Sequence, residues 1–313
     1  MKKTIYYTCL VFFFTFCSGE KQTSKENDTV VSKGQTTATN KECPKHLMER
    51  KTENLNISIL LDLSDRIDLP NQQAKDSVYI LSLAKVFNAH VKEKKLGLLY
   101  DKIEVFFEPA PLDFKINEMS NKLKTTYVKG VSKKEWLPKT IAFYETVPTQ
   151  IYELSRAVSK KEGYPGSDTW GFFQNHVKDY CIEACRRNIL VILTDGYMYH
   201  ENSKRKNKEQ TSYLTPQLLS QLKLNTPNWE EKINERNLGF IPATQGLVDL
   251  EVLVIGIQNQ NGQHPYAQDI IESYWQKWLK DMGVIAPKIK NADLPSNIEK
   301  VINDFILKNN HGI

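Results

Sequence analysis

Five cysteines in 313 residues are too few and too scattered to form a disulfide scaffold. No stripe of basic residues interleaved with aromatics marks a nucleic-acid interface. Lys and Arg (42) are intermixed with Asp and Glu (37), and the formal charge of +5 describes a solvated surface, with no nucleic acid expected as a partner. The histidines, among them His90, His176, His200 and His264, do not fall at zinc-ligand spacing. The chain has no Gly-x-Ser-x-Gly elbow, no glycine loop for phosphate, and no internal repeat. The longest apolar run, Ile5 to Phe16, is too short to span a bilayer comfortably.

That run has its own meaning. Lys2 and Lys3 precede it and Cys17-Ser18-Gly19 follow, the charged and apolar regions of a bacterial export signal. With a Cys at its end, residues 1–17 resemble a bacterial lipoprotein signal. The resemblance implies cleavage before Cys17 and lipidation of it; Phe16 departs from the small residue that pattern wants there. Residues 18–53 are rich in Lys, Glu, Asn, Thr, Ser and Gln with few apolar groups, so they read as a solvated tether. A multiply acylated Cys17 anchors firmly to a membrane where a single chain would not. The expected location is the bacterial cell envelope, periplasmic or cell-surface, with membrane attachment through the N-terminal lipid.

From residue 54 to 313 strand and helix patterns alternate, and no boundary splits them. Asn56–Leu61, Lys102–Phe107, Ile189–Thr194 and Asp249–Ile257 are short apolar runs of the kind buried on both faces of a sheet. Between them, Ala74–Lys95 carries apolar residues at helical spacing. Residues 113–128 read as a short edge strand plus loop, and Pro138–Lys160 as a helix or two broken near Pro148. One helix is predicted over Thr169–Arg186, another over Pro265–Met282 with Trp275 and Trp278 in the core, then a strand at Val284-Ile285 and a helix over Leu294–Leu307. Residues 198–245 are polar and irregular, an insertion with one short helix after Thr215-Pro216. This succession demands an α/β fold: a doubly wound, mostly parallel central sheet with helices on both faces. Cys181 and Cys185, one helical turn apart, read as buried thiols, with a bridge from Cys43 to either of them left open.

Two of the predicted strands end alike. The first closes on Asp62-Leu63-Ser64-Asp65-Arg66 and the second on Thr194-Asp195-Gly196. In an open parallel sheet, ligands sit beyond the carboxyl ends of the strands. If the two are neighbours, Asp62, Ser64 and Asp195 meet there, and a cluster of hard oxygens suits a small divalent cation. Tyr197, Met198, Tyr199 and His200 follow and would rim the same cleft. Alone, each residue is ordinary: Asp62 a capping group, Ser64 a turn former, Asp195-Gly196 a common turn. Their order along the chain gives the joint reading its force.

On these residues the chain resembles a von Willebrand factor A domain. In that family the first strand ends in Asp-x-Ser-x-Ser, a Thr comes from a middle loop, and Thr-Asp-Gly ends a later strand. The resemblance implies a metal-ion-dependent adhesion site whose cation, usually Mg2+ and alternatively Mn2+ or Ca2+, is completed by an acidic group of a protein partner. Asp62, Ser64 and Asp195 match three ligands. Thr169 matches the loop hydroxyl, with Ser167 two residues away as the alternative, and Asp65 or Asp168 could complete the oxygens. Arg66 departs: it stands where the family has a second Ser, and a guanidinium cannot coordinate a cation. Turned inward it would pair with Asp62 or Asp195 and replace the metal. The expected function is a binding module without catalytic residues. The alternatives are a non-metal interaction domain or, since nothing supplies a nucleophile with a positioned base, less readily a metal-assisted hydrolase.

Overall fold

A computed structural model describes residues 43–111, 113–260 and 262–307. Cys17 and the export signal lie outside them. In chain order the elements are α1 (Lys45–Met48), β1 (Leu55–Leu61), α2 (Gln72–Glu93), β2 (Tyr100–Phe106), α3 (Phe114–Lys122), β3 (Thr125–Val128), α4 (Lys133–Glu162), α5 (Thr169–Asn175), α6 (Val177–Cys181) and β4 (Arg187–Leu193). The insertion follows as β5 (Lys206–Asn207), β6 (Gln210–Thr211), α7 (Pro216–Gln221), α8 (Trp229–Glu235) and β7 (Gly239–Phe240). Then come β8 (Leu250–Ile257), α9 (Ala267–Asp281), β9 (Lys288–Asn291) and α10 (Pro295–Leu307).

The central sheet runs β3-β2-β1-β4-β8-β9. Every pairing is parallel except that of β3, the antiparallel edge. Each middle strand feeds both faces because successive side chains alternate. Ile57, Ile59, Leu61, Ile189, Val191 and Leu193 join Ile80, Phe87, Tyr144 and Ile302 in one core layer. Leu60, Leu190, Ile192, Val252 and Val254 join Phe172, Trp275 and Trp278 in the other. Each fully buried aliphatic side chain contributes about 1.5–3 kcal/mol, so the continuous apolar runs hold the sheet between two helical layers. The order reverses between β1 and β4: β1 leads to one side of the sheet and β4 to the other. Such a switch point leaves a crevice at the strand ends.

Several local readings need correction. Residues 114–122, expected in a loop, form α3; Asp113 caps it by accepting a hydrogen bond from the Lys115 backbone. Helix α4 runs unbroken through Pro148, because its buried face (Tyr144, Val147, Ile151, Tyr152) packs on the core and outweighs the lost N–H. The single helix over Thr169–Arg186 is two, parted at His176, where φ is −128°. Val284-Ile285 is not a strand. Ile285 is 75 % exposed, and the sheet edge is β9, four residues on. The insertion holds a small three-stranded sheet, β5-β6-β7, besides the predicted helix at Pro216. Residues 45–48, read as tether, form α1, and Cys43 is bridged to Cys185. Cys181 is the buried free thiol.

Candidate functional site

Asp62 leaves the end of β1 and Asp195 the end of β4, and the strands are neighbours in register, Leu61 opposite Leu193. The sheet ladder continues past both: the Asp62 N–H donates to the Leu193 carbonyl at 3.1 Å and the Thr194 N–H to the Ile255 carbonyl at 3.1 Å. Both carboxylates are 3 % exposed. Each is oriented by its own loop and by a group from a neighbouring one. The Ser64 N–H donates to Asp62 Oδ1 at 2.9 Å and Thr194 Oγ1 donates to Asp62 Oδ2 at 2.9 Å. Tyr197 N–H donates to Asp195 Oδ1 at 3.0 Å, and the Gln260 amide donates to Asp195 Oδ2. A carboxylate has about four lone-pair sites, so each retains acceptor capacity.

Ser64, Asp65, Ser167 and Asp195 line one cleft of about 370 Å³, with Tyr197, Met198 and Tyr199 on its rim. The rim aromatics were expected there; His200 instead sets its Nδ1 3.1 Å from Asp168 Oδ2. The loop candidates prove to be companions, since Ser167 Oγ lies 3.4 Å from Thr169 Oγ1. Asp168 has other duties besides the His200 contact: its Oδ1 caps α5 by accepting from the Gly171 N–H at 2.9 Å. Asp65 is exposed at the mouth. Two glycines make the close approach feasible. Gly166, at φ +81°, faces the Tyr199 carbonyl, and Gly196, at φ +95°, faces Ile271; a Cβ at either would clash. Trp275 on α9 fastens the second turn by donating to the Gly196 carbonyl at 2.9 Å.

Arg66 turns inward, but it pairs with neither the Asp62 nor the Asp195 carboxylate. It is fully buried under the loop, with Nη1 2.9 Å from Asp76 Oδ2 on α2 and 3.0 Å from the Asp62 backbone carbonyl. Gln72 and Tyr152 also donate to Asp76. Burial opposes the guanidinium charge, but Asp76, then Tyr152, Asp62 and Asp195, outweigh it and raise its pKa. Asp76 is the residue the sequence reading missed. Its signal was an acid on the apolar stripe Asp76, Ile80, Leu83, Phe87 of a predicted helix.

Three buried carboxylates, Asp62, Asp76 and Asp195, thus face one buried guanidinium. The shortfall registers on Asp195: burial first, then the Asp62 charge, pushes its carboxyl up to about 7. Burial, then Asp62, also raises Asp65. Among the described residues, no three His, Cys, Asp or Glu side chains form a metal-holding group. Of the expected ligands, Ser64, Asp65, Ser167 and Asp195 line the cleft, whereas Asp62, Asp168 and Thr169 lie behind its wall.

No family model matches the chain, and no curated protein matches it. Solved structures similar to it include the pilus adhesin SpaC from Lactobacillus rhamnosus GG, at 11% identity and a TM-score of 0.40 over 82% of this chain and 30% of that one. Proximal thread matrix protein 1 from the mussel byssus is similar at 10% identity and a TM-score of 0.36, over 82% and 48%. A variant of the PilB minor pilin from Streptococcus sanguinis is similar at 11% identity and a TM-score of 0.37, over 82% and 61%. The chain spans less than two thirds of each of these proteins.

Proposed function

We propose that this chain is an exported, lipid-anchored binding module of the von Willebrand factor A type, which engages an acidic group of a protein partner through a divalent cation. One observation carries the reading. Two buried carboxylates end neighbouring strands at the sheet's switch point, and burial, then the charge of Asp62, pushes Asp195 up to about 7. The donor chemistry fits a hard cation: carboxylate and hydroxyl oxygens suit magnesium, which tolerates several waters in its shell. Asp62 and Asp195 would supply charge, while Ser64 and Thr169, with Ser167 beside it, would supply hydroxyl oxygens. The cation supplies the positive charge that a partner carboxylate meets. Asp65 and Asp168, at the cleft mouth and the α5 cap, suit outer positions.

Arg66 speaks less against this reading than its place in the motif implies. Its charge is met by Asp76, and its hydrogen bond to Asp62 goes to the backbone carbonyl. A non-metal site filled by Arg66 finds less support for that reason. No reaction is assigned to the chain.

The test uses magnesium and manganese alone against the thermal stability of the whole chain, with EDTA as control. A ligand bound only by the folded state at about a hundred times its Kd adds about 2.7 kcal/mol. We expect a saturable rise in Tm for the wild type and none for Asp62→Ala. An equal rise in both proteins, or no rise in the wild type, would remove the metal from the mechanism.

A further inference from the structure

Strands β1, β2, β4, β8 and β9 run parallel, so all five begin at one end of the sheet, opposite the cleft. The loops at that end turn apolar side chains outward. Ile285 is 75 % and Val248 62 % exposed, and Leu96 and Met48 are exposed as well. Turns ordinarily carry Gly, Pro, Asn, Asp or Ser at such positions. The exposure is not forced by a want of interior, since the neighbouring Leu247 and Val284 are buried.

Three contacts join these loops into one row. Lys94 Nζ donates to the Glu53 carbonyl at 2.9 Å, which sets the Leu96 turn beside the segment that carries Met48. Lys51 Nζ lies 2.8 Å from Asp249 Oδ1, joining that segment to the turn of Val248. The Leu247 N–H donates to the Met282 carbonyl at 3.0 Å, joining that turn to the bend of Ile285. Single exposed apolar residues need no explanation, whereas a continuous set marks a contact surface. Lys45, Lys95 and Lys280 are exposed at the same end, and such side chains lay their stems along apolar surface while the charged heads reach outward. Asp249 and Asp281 are each met by a lysine.

Cys43, the first described residue, is bridged to Cys185 at this end too. Residues 18–42 separate it from Cys17, and a chain of that length reaches at most about 90 Å. A lipid on Cys17 would hold this end beside a bilayer at an effective concentration on the order of a millimolar. An affinity of the same weak order then suffices for contact, and a few aliphatic side chains entering an interface supply it. We propose that this end of the sheet is a membrane-facing surface, with Leu96, Met48, Val248 and Ile285 entering the interfacial region of the bilayer. The nearness of the bilayer rests on the lipid anchor proposed above; the fitness of the row for an apolar interface does not.

The experiment places the full chain in phosphatidylcholine vesicles with and without bromine on the acyl chains, which quenches tryptophan inside the bilayer. The N-terminus holds it there, through the Ile5–Phe16 run or through an acyl chain. Ile285→Trp and Val248→Trp should each add blue-shifted emission that falls about twofold or more in the brominated vesicles, in low and high salt alike. Phe114→Trp, on α3 beyond the opposite end of β2, should add emission that is not quenched. Leu96→Trp should be quenched as well, and Val248→Asp with Ile285→Asp should abolish that quenching. Emission at 248 and 285 typical of water would overturn the proposal. So would a blue shift without quenching, the mark of a second copy covering the row, or equal quenching of Phe114→Trp. Mass spectrometry of the Cys17 peptide from cells separates the two readings. If the probes are quenched but Cys17 is unmodified, the surface stands and the lipid anchor falls. If Cys17 is acylated but the probes are not quenched, the surface proposal is the one that fails.

Discussion

At the scale of single residues, Asp195 sets burial against ionisation. An unfolded aspartate ionises near 3.8, whereas burial and Asp62 hold this one up to about 7. The unfolded chain therefore gives up the proton first as pH rises, and ionisation favours unfolding. The penalty is absent below about pH 4, grows through the interval, and is full above about pH 7, on the order of a few kcal/mol. A cation bound by the ionised carboxylate acts in the opposite sense, because binding displaces the proton. The magnesium-induced rise in Tm is thus expected to be small near pH 5 and to reach its plateau above about pH 7.5. Asp195→Asn should flatten the pH dependence measured in EDTA and abolish the response to magnesium. Melting curves across this range with and without magnesium check both; a magnesium response equal at all pH values would contradict the assignment of Asp195.

Between elements, the Arg66–Asp76 pair ties the loop after β1 to helix α2. Arg66→Ser would create the residue that the family resemblance asks for, yet it would strand Asp76 in the core. Removing one member of a buried pair costs about 3–5 kcal/mol, and urea denaturation should show a loss of that size. The companion Asp76→Asn in the Arg66→Ser background should recover part of it, with a coupling of about 0.5–3 kcal/mol in the double-mutant cycle. Additive losses would mean the two side chains do not act as a pair.

This pair also shows where the sequence was legible. Strands β1 and β4 announced themselves because both their faces are buried, and the residues ending them led directly to the cleft at the sheet's switch point. Arg66 was visible as a departure, but its partner on α2 was not, since helical spacing says which face is inward and not which loop lies over it. Pro148 misled for a related reason: local propensity argues for a break, while the buried stripe around it argues for continuity, and burial prevails. At the far edge, β9 alternates Lys288, Ile289 and Lys290, charges that suit an exposed edge but mask a strand from a search for apolar runs. The two-residue strands of the insertion are too short to show any period.

For the molecule as a whole, the disulfide and the cleft occupy opposite ends of the sheet. Cys185 precedes the start of β4 at Arg187, and its bridge to Cys43 fixes the entering chain there. Asp62 and Asp195 follow the far ends of β1 and β4, about 20 Å away for strands of this length. The arrangement separates the bridge from the candidate site. The bridge closes a separation of 142 residues, and a loop of that length is worth about 2–5 kcal/mol through the unfolded state. The double variant Cys43→Ser, Cys185→Ser should therefore lose stability of that order in denaturant, while the concentration of magnesium giving half its maximal effect on Tm stays the same. A lowered magnesium affinity in that variant would show that the two poles are mechanically coupled through β1 and β4, and that the bridge shapes the site as well as securing the fold.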